Sequence, residues 1–204
     1  MECLRLPDTD ERDAAARAAV ILGAGGVIVF PAERLYGVGA SALHSGALRK
    51  VLTLKKRGTA PLPVVVYDMK MAEEWIKFSD RSRRLAERFW PGPLTLVLES
   101  RKKLPAELSG GGGKLGVRVP GNSLAREIAG VLGAPYTATS GNISGAEPGR
   151  TAREAVVGLS GEVDLVLDAG ELAGPPPSTV AEVSGDALRI LREGAISASC
   201  LEDI

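Results

Sequence analysis

The chain has 204 residues, and its 25 lysines and arginines balance 25 aspartates and glutamates, so no global field draws it to nucleic acid or to an anionic membrane. Hydrophobic residues make up 45% of it, enough to bury a core in one large domain or in one domain with a lobe. Two cysteines, Cys3 and Cys200, and one histidine, His44, supply neither a disulfide framework nor a Cys/His zinc site. The polar N-terminus does not read as a signal peptide, and no apolar run reaches the roughly 20 residues that span a bilayer. The expected location is the cytoplasm, with both cysteines as free thiols and no membrane partner.

Helical and strand patterns alternate along the chain. Ala14, Ala15, Ala18, Ala19, Ile21 and Leu22 recur at helical spacing and predict a helix over residues 10–22, closed by Gly23. Residues 26–30 form a short apolar run, a buried strand, followed by a turn-rich stretch over 31–39. A helix is predicted over 45–54, with Leu48, Val51 and Leu52 inward, and a strand over the β-branched run 62–67. Residues 71–78 and 80–89 read as helices, and Pro91-Gly92-Pro93 stops the second one. Strands are predicted over 94–99 and 115–119, on either side of a loop made of four glycines, Gly110 to Gly113. A helix over 123–132 ends at Gly133, and a strand follows at 136–140. Thr151-Ala-Arg-Glu154 is a capping box that starts another helix. Strands over 163–167, 178–183 and 188–192 finish the series. The alternation predicts one α/β domain without repeats.

Four segments stand apart from ordinary core and surface. Leu54-Lys55-Lys56-Arg57-Gly58 closes a helix. Its cations suit the negative helix end as a solvated cluster, and they equally offer point charge and fork geometry to a phosphate. Thr139-Ser140-Gly141-Asn142-Ile143-Ser144-Gly145 is either a polar turn or a loop whose backbone can approach a ligand closely. It is not a Walker A loop, because no Gly-Lys-Ser/Thr follows. Phe89-Trp90-Pro91-Gly92-Pro93-Leu94-Thr95 reads as a packed corner. Pro177-Ser178-Thr179-Val180 and Leu191-Arg192-Glu193-Gly194 carry no signal singly. No Gly-x-Ser-x-Gly elbow is present and the carboxylates are scattered. Donors for anions dominate, which favours positioning and electrostatic chemistry such as phosphoryl or adenylyl transfer.

Taken in order, these segments resemble the YrdC-type threonylcarbamoyl-AMP synthases, which carry the YrdC/YciO-like domain. The resemblance rests on Pro31-Ala-Glu-Arg-Leu-Tyr36-Gly37-Val, Lys55-Lys-Arg57, Pro91-Gly-Pro-Leu-Thr95, Arg118-Val-Pro120, Ser140-Gly-Asn142-Ile-Ser144-Gly145, Ser178-Thr179-Val180 and Arg192-Glu-Gly194. It covers residues 10–195 and implies a single YrdC-like domain over 1–204 without a further C-terminal domain. The implied fold is a twisted, mostly mixed sheet with helices around a basic concave pocket. The implied reaction joins L-threonine, bicarbonate and ATP into threonylcarbamoyl-AMP, with magnesium accompanying ATP and no covalent protein intermediate. By resemblance, Lys55, Arg57, Ser140, Asn142 and Arg192 bind ATP and its phosphates, while Arg34, Tyr36, Arg118 and Ser178 line the threonine or carbamate end. The product would serve threonylcarbamoyladenosine modification of tRNA, alongside tRNA-modification proteins.

The chain departs from the family pattern mainly at the threonine end. Ala32 and Arg34 stand where threonines are usual, Gly58 where a proline is, Ala60 and Val65 where an asparagine and a histidine are frequent, and Gly149 where a serine is. Three functions stay open at this point: a true synthase, a nucleotide-binding paralogue acting on another small acid or carbamoyl donor, and a non-catalytic domain for double-stranded RNA or tRNA. Basic runs at Arg49-Lys50, Lys55 to Arg57, Arg81 to Arg88 and Arg101 to Lys103 would serve the last.

Overall fold

The computed structural model describes all residues except Thr59 and Pro175. Its elements are β1 (Glu2–Arg5), α1 (Glu11–Gly23), β2 (Val27–Pro31), β3 (Tyr36–Ala40), α2 (Ser45–Leu54), β4 (Val64–Val65), α3 (Met69–Trp75), α4 (Asp80–Phe89), β5 (Leu94–Glu99) and α5 (Ala106–Ser109). They continue with β6 (Lys114–Arg118), α6 (Ser123–Leu132), β7 (Tyr136–Thr137), β8 (Thr139–Ser140), α7 (Ala152–Val157), β9 (Leu165–Asp168), β10 (Thr179–Ser184), β11 (Ala187–Arg192) and α8 (Ala198–Glu202). Among the described residues no helix is long and apolar enough to cross a membrane.

The expected mixed sheet takes the form of two mixed sheets. One runs β1-β9-β2-β3-β8 and the other β11-β10-β5-β6-β4-β7. In the first, β9 lies parallel to both β1 and β2, and β3 runs antiparallel to β2 and β8. In the second, β10 is parallel to β5, β6 is parallel to β4, and the remaining pairs are antiparallel. The chain passes from the second sheet to the first at Ala138, between β7 and β8, where the Ala138 N–H donates to Pro63 O at 3.0 Å. That crossing is what brings Ser140 beside residues of both sheets.

Side-chain alternation along β2 divides the core. Val27 and Val29 join the main cluster between the sheets, while Ile28 and Phe30 face the small-residue side of α1. There Ala14, Ala15 and Ala18 pack with Leu124, Ala125, Ile128 and Ala129 of α6. Short side chains let the two helices approach closely. Asp10 caps α1 by accepting from Arg12 N at 2.8 Å, and the predicted capping box of Thr151 and Glu154 opens α7.

Three segments differ from the sequence expectation. The stretch 31–39 is only partly a turn, because Tyr36–Ala40 pairs with β2 as β3. Its glycines conceal a strand pattern, and they are needed: a Cβ at Gly39 would lie 2.7 Å from Thr137 O. The strand expected over 136–140 is two short strands in different sheets, and only Val64–Val65 of the run 62–67 is strand. The edge elements β1 and α8 carry partly exposed, weakly periodic residues, and α5 is one turn closed by Gly110 at φ 60°. Composition gave none of these three a signal.

Candidate functional site: a cationic cavity between the sheets

A cavity of about 420 Å³ opens where the two sheets meet. Of the nine predicted site residues, seven line it: Arg34, Tyr36, Arg57, Arg118, Ser140, Ser178 and Arg192. Lys55 and Asn142 do not line it and stand directly behind its wall.

Arg57 follows α2 through a tight turn in which Lys56 takes a left-handed φ of 46° and the Arg57 N–H donates to Leu52 O at 2.9 Å. Its guanidinium donates to Pro61 O at 3.1 Å and sits 3.4 Å from Thr139 Oγ1. Lys55 points the other way. It is 1% exposed, and its Nζ donates to the carbonyls of Ser140 and, at 2.7 Å, of Asn142. Burial, followed by the neighbouring Arg57 charge, pushes the Lys55 ammonium down to about 8. The Asn142 amide nitrogen donates to Ile143 O at 2.9 Å and Ala146 O at 2.7 Å. Its Oδ1 is buried without a partner among the described residues. The Ser140 side chain is left exposed on the cavity wall.

Arg192 ends β11 and reaches the residue that precedes β10, donating from Nη2 to Ser178 O at 2.7 Å and approaching Ser178 Oγ at 3.3 Å. Ser178 Oγ also lies 3.2 Å from Thr95 Oγ1. The adjacent Thr179 has a different task. Its buried hydroxyl donates to Ile196 O at 2.6 Å and accepts from Gly194 N and Ile196 N, both at 3.0 Å, so it fixes the turn that follows Arg192. Gly194 fits there because any side chain would collide with the Pro177 carbonyl. Desolvation lowers the pKa of Arg57 and of Arg192, and for Arg192 the nearby Arg57 charge adds to it. Arg57 is half-buried and Arg192 exposed, and both line the same cavity.

Arg118 ends β6 and lines the same cavity. Its side chain is 15% exposed, and Nη2 pairs with Glu33 Oε2 at 2.9 Å. Its Nε is buried without a partner among the described residues. Burial lowers the Arg118 pKa, and the Glu33 carboxylate opposes that shift. Glu33 Oε1 in turn accepts from Gly121 N at 2.5 Å. Arg34 donates from Nε to Gly174 O at 2.5 Å, and its own carbonyl accepts from Gly174 N at 2.8 Å. Tyr36 is fully buried. Its hydroxyl donates to Gly170 O at 2.8 Å, accepts from Ala169 N at 2.9 Å, and lies 3.2 Å from Asp168 Oδ1. Burial pushes that phenol up to about 12. Tyr36 and Arg34 thus tie the segment after β9 to the cavity rim. Gly149, placed where a serine is frequent, abuts α7 so closely that a Cβ would lie 2.6 Å from Ala155 N.

Sequence reasoning passed over Glu33, Thr95, Thr139 and Lys114, all of which line the cavity. Thr95 and Thr139 sit inside motifs that were singled out. Glu33 also sits inside such a motif, but its partner Arg118 lies far along the chain, and Lys114, paired with the equally distant Glu182, gave no signal.

Comparison with known proteins places this geometry. A threonylcarbamoyl-AMP synthase of Pyrococcus abyssi is 31% identical over 189 residues, which are 92% of this chain and 56% of the relative. The chain thus spans about half of that protein's length. The threonylcarbamoyl-AMP synthase of Stenotrophomonas maltophilia is 32% identical, with 84% of this chain and 95% of the relative covered. Among solved structures, P. abyssi Sua5 complexed with L-threonine superposes with a TM-score of 0.89 at 30% identity, covering 99% of this chain and 59% of that one. Residues 20–194 match the sequence model of the Sua5/YciO/YrdC family, described as telomere recombination. The chain belongs to the Sua5/YciO/YrdC family.

Proposed function

We propose that the cavity makes threonylcarbamoyl-AMP from L-threonine, bicarbonate and ATP, as a nucleotidyltransferase that releases pyrophosphate. The observation that carries this reading is the convergence of Arg57, Arg118 and Arg192 with Ser140 and Ser178 on one cavity, in a chain about a third identical to named synthases. Three arginines on one cavity favour a ligand with several negative charges.

Arg57 and the Ser140 hydroxyl hold the triphosphate, and Arg192 contacts the nucleotide beside them. The buried edge of Arg118 takes the threonine carboxylate, and Ser178, bonded to Arg192, serves the carbamate. The carbamate formed from threonine and bicarbonate is a weak nucleophile that water destroys. Shielding and alignment therefore supply most of the catalysis. A carbamate oxygen attacks the α-phosphorus, the bond from that phosphorus to the bridging oxygen breaks, and pyrophosphate departs toward Arg57. No side chain becomes covalently attached. The magnesium expected with ATP enters bound to the nucleotide as part of the substrate. Among the described residues no three carboxylate, histidine or cysteine groups converge to hold an ion. The product would be consumed in tRNA threonylcarbamoyladenosine modification, together with tRNA and the proteins that act on it.

The test is pyrophosphate release by the purified protein with ATP, magnesium and bicarbonate. Release that requires threonine supports the reading. Release at the same rate without threonine rejects it.

A further inference from the structure

The buried ammonium of Lys55 has no part in the reaction above. The whole segment from Ser140 to Ser144 is organised around it. Two of its carbonyls, those of Ser140 and Asn142, turn inward to Nζ, and the Ser144 N–H donates to the Lys55 carbonyl at 2.9 Å. The rest of the segment is held from other sides. Gly141 N donates to Tyr36 O at 2.9 Å and Ile143 N to Gly158 O at 2.7 Å, while the Asn142 amide closes the turn on itself. An ammonium so enclosed commits two of its three N–H donors to carbonyls of this segment. Leaving them for a ligand would strand buried carbonyls.

We infer that Lys55 is a positioning residue for Ser140: it moulds the turn that presents the Ser140 hydroxyl to the cavity, and it is not itself a ligand of the phosphates. The inference rests on the reading of the cavity as an ATP site. It divides the two neighbouring cations by role, with Arg57 on the cavity side of the wall and Lys55 on the inner side.

Two measurements test it. In the first, the unmodified protein is treated with an amine-acylating ester, with and without MgATP, and labelled lysines are located by mass spectrometry. Lys55 should stay unlabelled in both states. Labelling in the free protein that MgATP blocks would make it a direct ligand and overturn the inference. In the second, MgATP affinity is measured calorimetrically for wild type, Lys55→Met, Ser140→Ala and the double variant. Lys55→Met should weaken binding roughly tenfold or more, and Ser140→Ala should cost far less in that background than in wild type. Unchanged affinity in Lys55→Met would leave Lys55 a merely structural residue, and full additivity would separate it from Ser140; either result overturns the inference. If Lys55→Met does not fold, the labelling result decides. Failure of wild type itself to bind MgATP removes the underlying ATP reading, an outcome distinct from any of these.

Discussion

The two ends of the cavity handle charge in opposite ways. Around Arg57 and Arg192 the recorded partners are neutral: carbonyls of Pro61 and Ser178 and hydroxyls of Thr139 and Ser178. Around Arg118 the cation already has a carboxylate, that of Glu33 at 2.9 Å, and Arg34 is tied to Gly174. A partly buried cation without a counter-charge gains most when an anion arrives. A paired one gains only the difference between two partners. Under the proposed function, the first end supplies affinity toward phosphate. The second suits discrimination, since an incoming carboxylate must complement the Glu33–Arg118 pair and not merely neutralise charge.

The largest effect that would break this comparison is at Arg57. Arg57→Ala should lower the rate of pyrophosphate release about 100- to 1,000-fold and leave thermal melting near wild type, because its side-chain hydrogen bonds among the described residues go to neutral groups. A variant as active as wild type would remove Arg57 from the phosphate end. Arg118→Met should behave differently. It should raise the threonine KM about 100-fold and also destabilise the fold by about 3 kcal/mol, since it leaves the mostly buried Glu33 carboxylate unpaired. Steady-state kinetics and urea denaturation on the same sample read both quantities. An effect on kinetics alone would mean that the Glu33 pair contributes nothing to stability.

A third prediction uses pH. In the unfolded chain Lys55 titrates near the ordinary lysine value of 10.5, and in the folded protein near 8. Below pH 8 both forms are charged, and the burial cost is fully present. Between pH 8 and 10.5 the unfolded chain binds more protons, so this group makes stability rise as pH rises. Urea denaturation should show wild type gaining about 1–3 kcal/mol relative to Lys55→Met between pH 7.5 and 9.5. A constant difference across that range would mean that the ammonium is not desolvated. The smallest effect is expected at Arg34. Arg34→Thr removes a donor to the rim segment and should change the threonine KM less than about tenfold, while hydrogen exchange at residues 170–174 speeds up. Unaltered exchange there would show that Arg34 does not hold the rim.

Much of this was legible before any coordinates. Helix α4 and strand β5 fall where residues 80–89 and 94–99 predict them, with the Pro91-Gly92-Pro93 stop marking the boundary between them. Strand β3 was not legible, since two of its five residues are glycines whose value lies in what packs against them. The site divides likewise. The motifs located Arg57, Ser140, Ser178 and Arg192, but adjacency in sequence could not tell that Lys55 and Arg57, two residues apart, face opposite sides of one wall. Nor could it pair Glu33 with Arg118 across 85 positions. A side chain's direction after a helix end depends on the turn taken there, and that turn required Lys56 to adopt a left-handed conformation that lysine seldom uses.

A structure of this protein with a non-hydrolysable ATP analogue and L-threonine bound tests the central claim most directly. The account predicts one occupied cavity, with the triphosphate against Arg57 and Ser140, the threonine carboxylate on Arg118, and Lys55 still bonded to the carbonyls of Ser140 and Asn142. Ligands seated on another face, or a triphosphate lying away from Arg57 and Arg192, would contradict it.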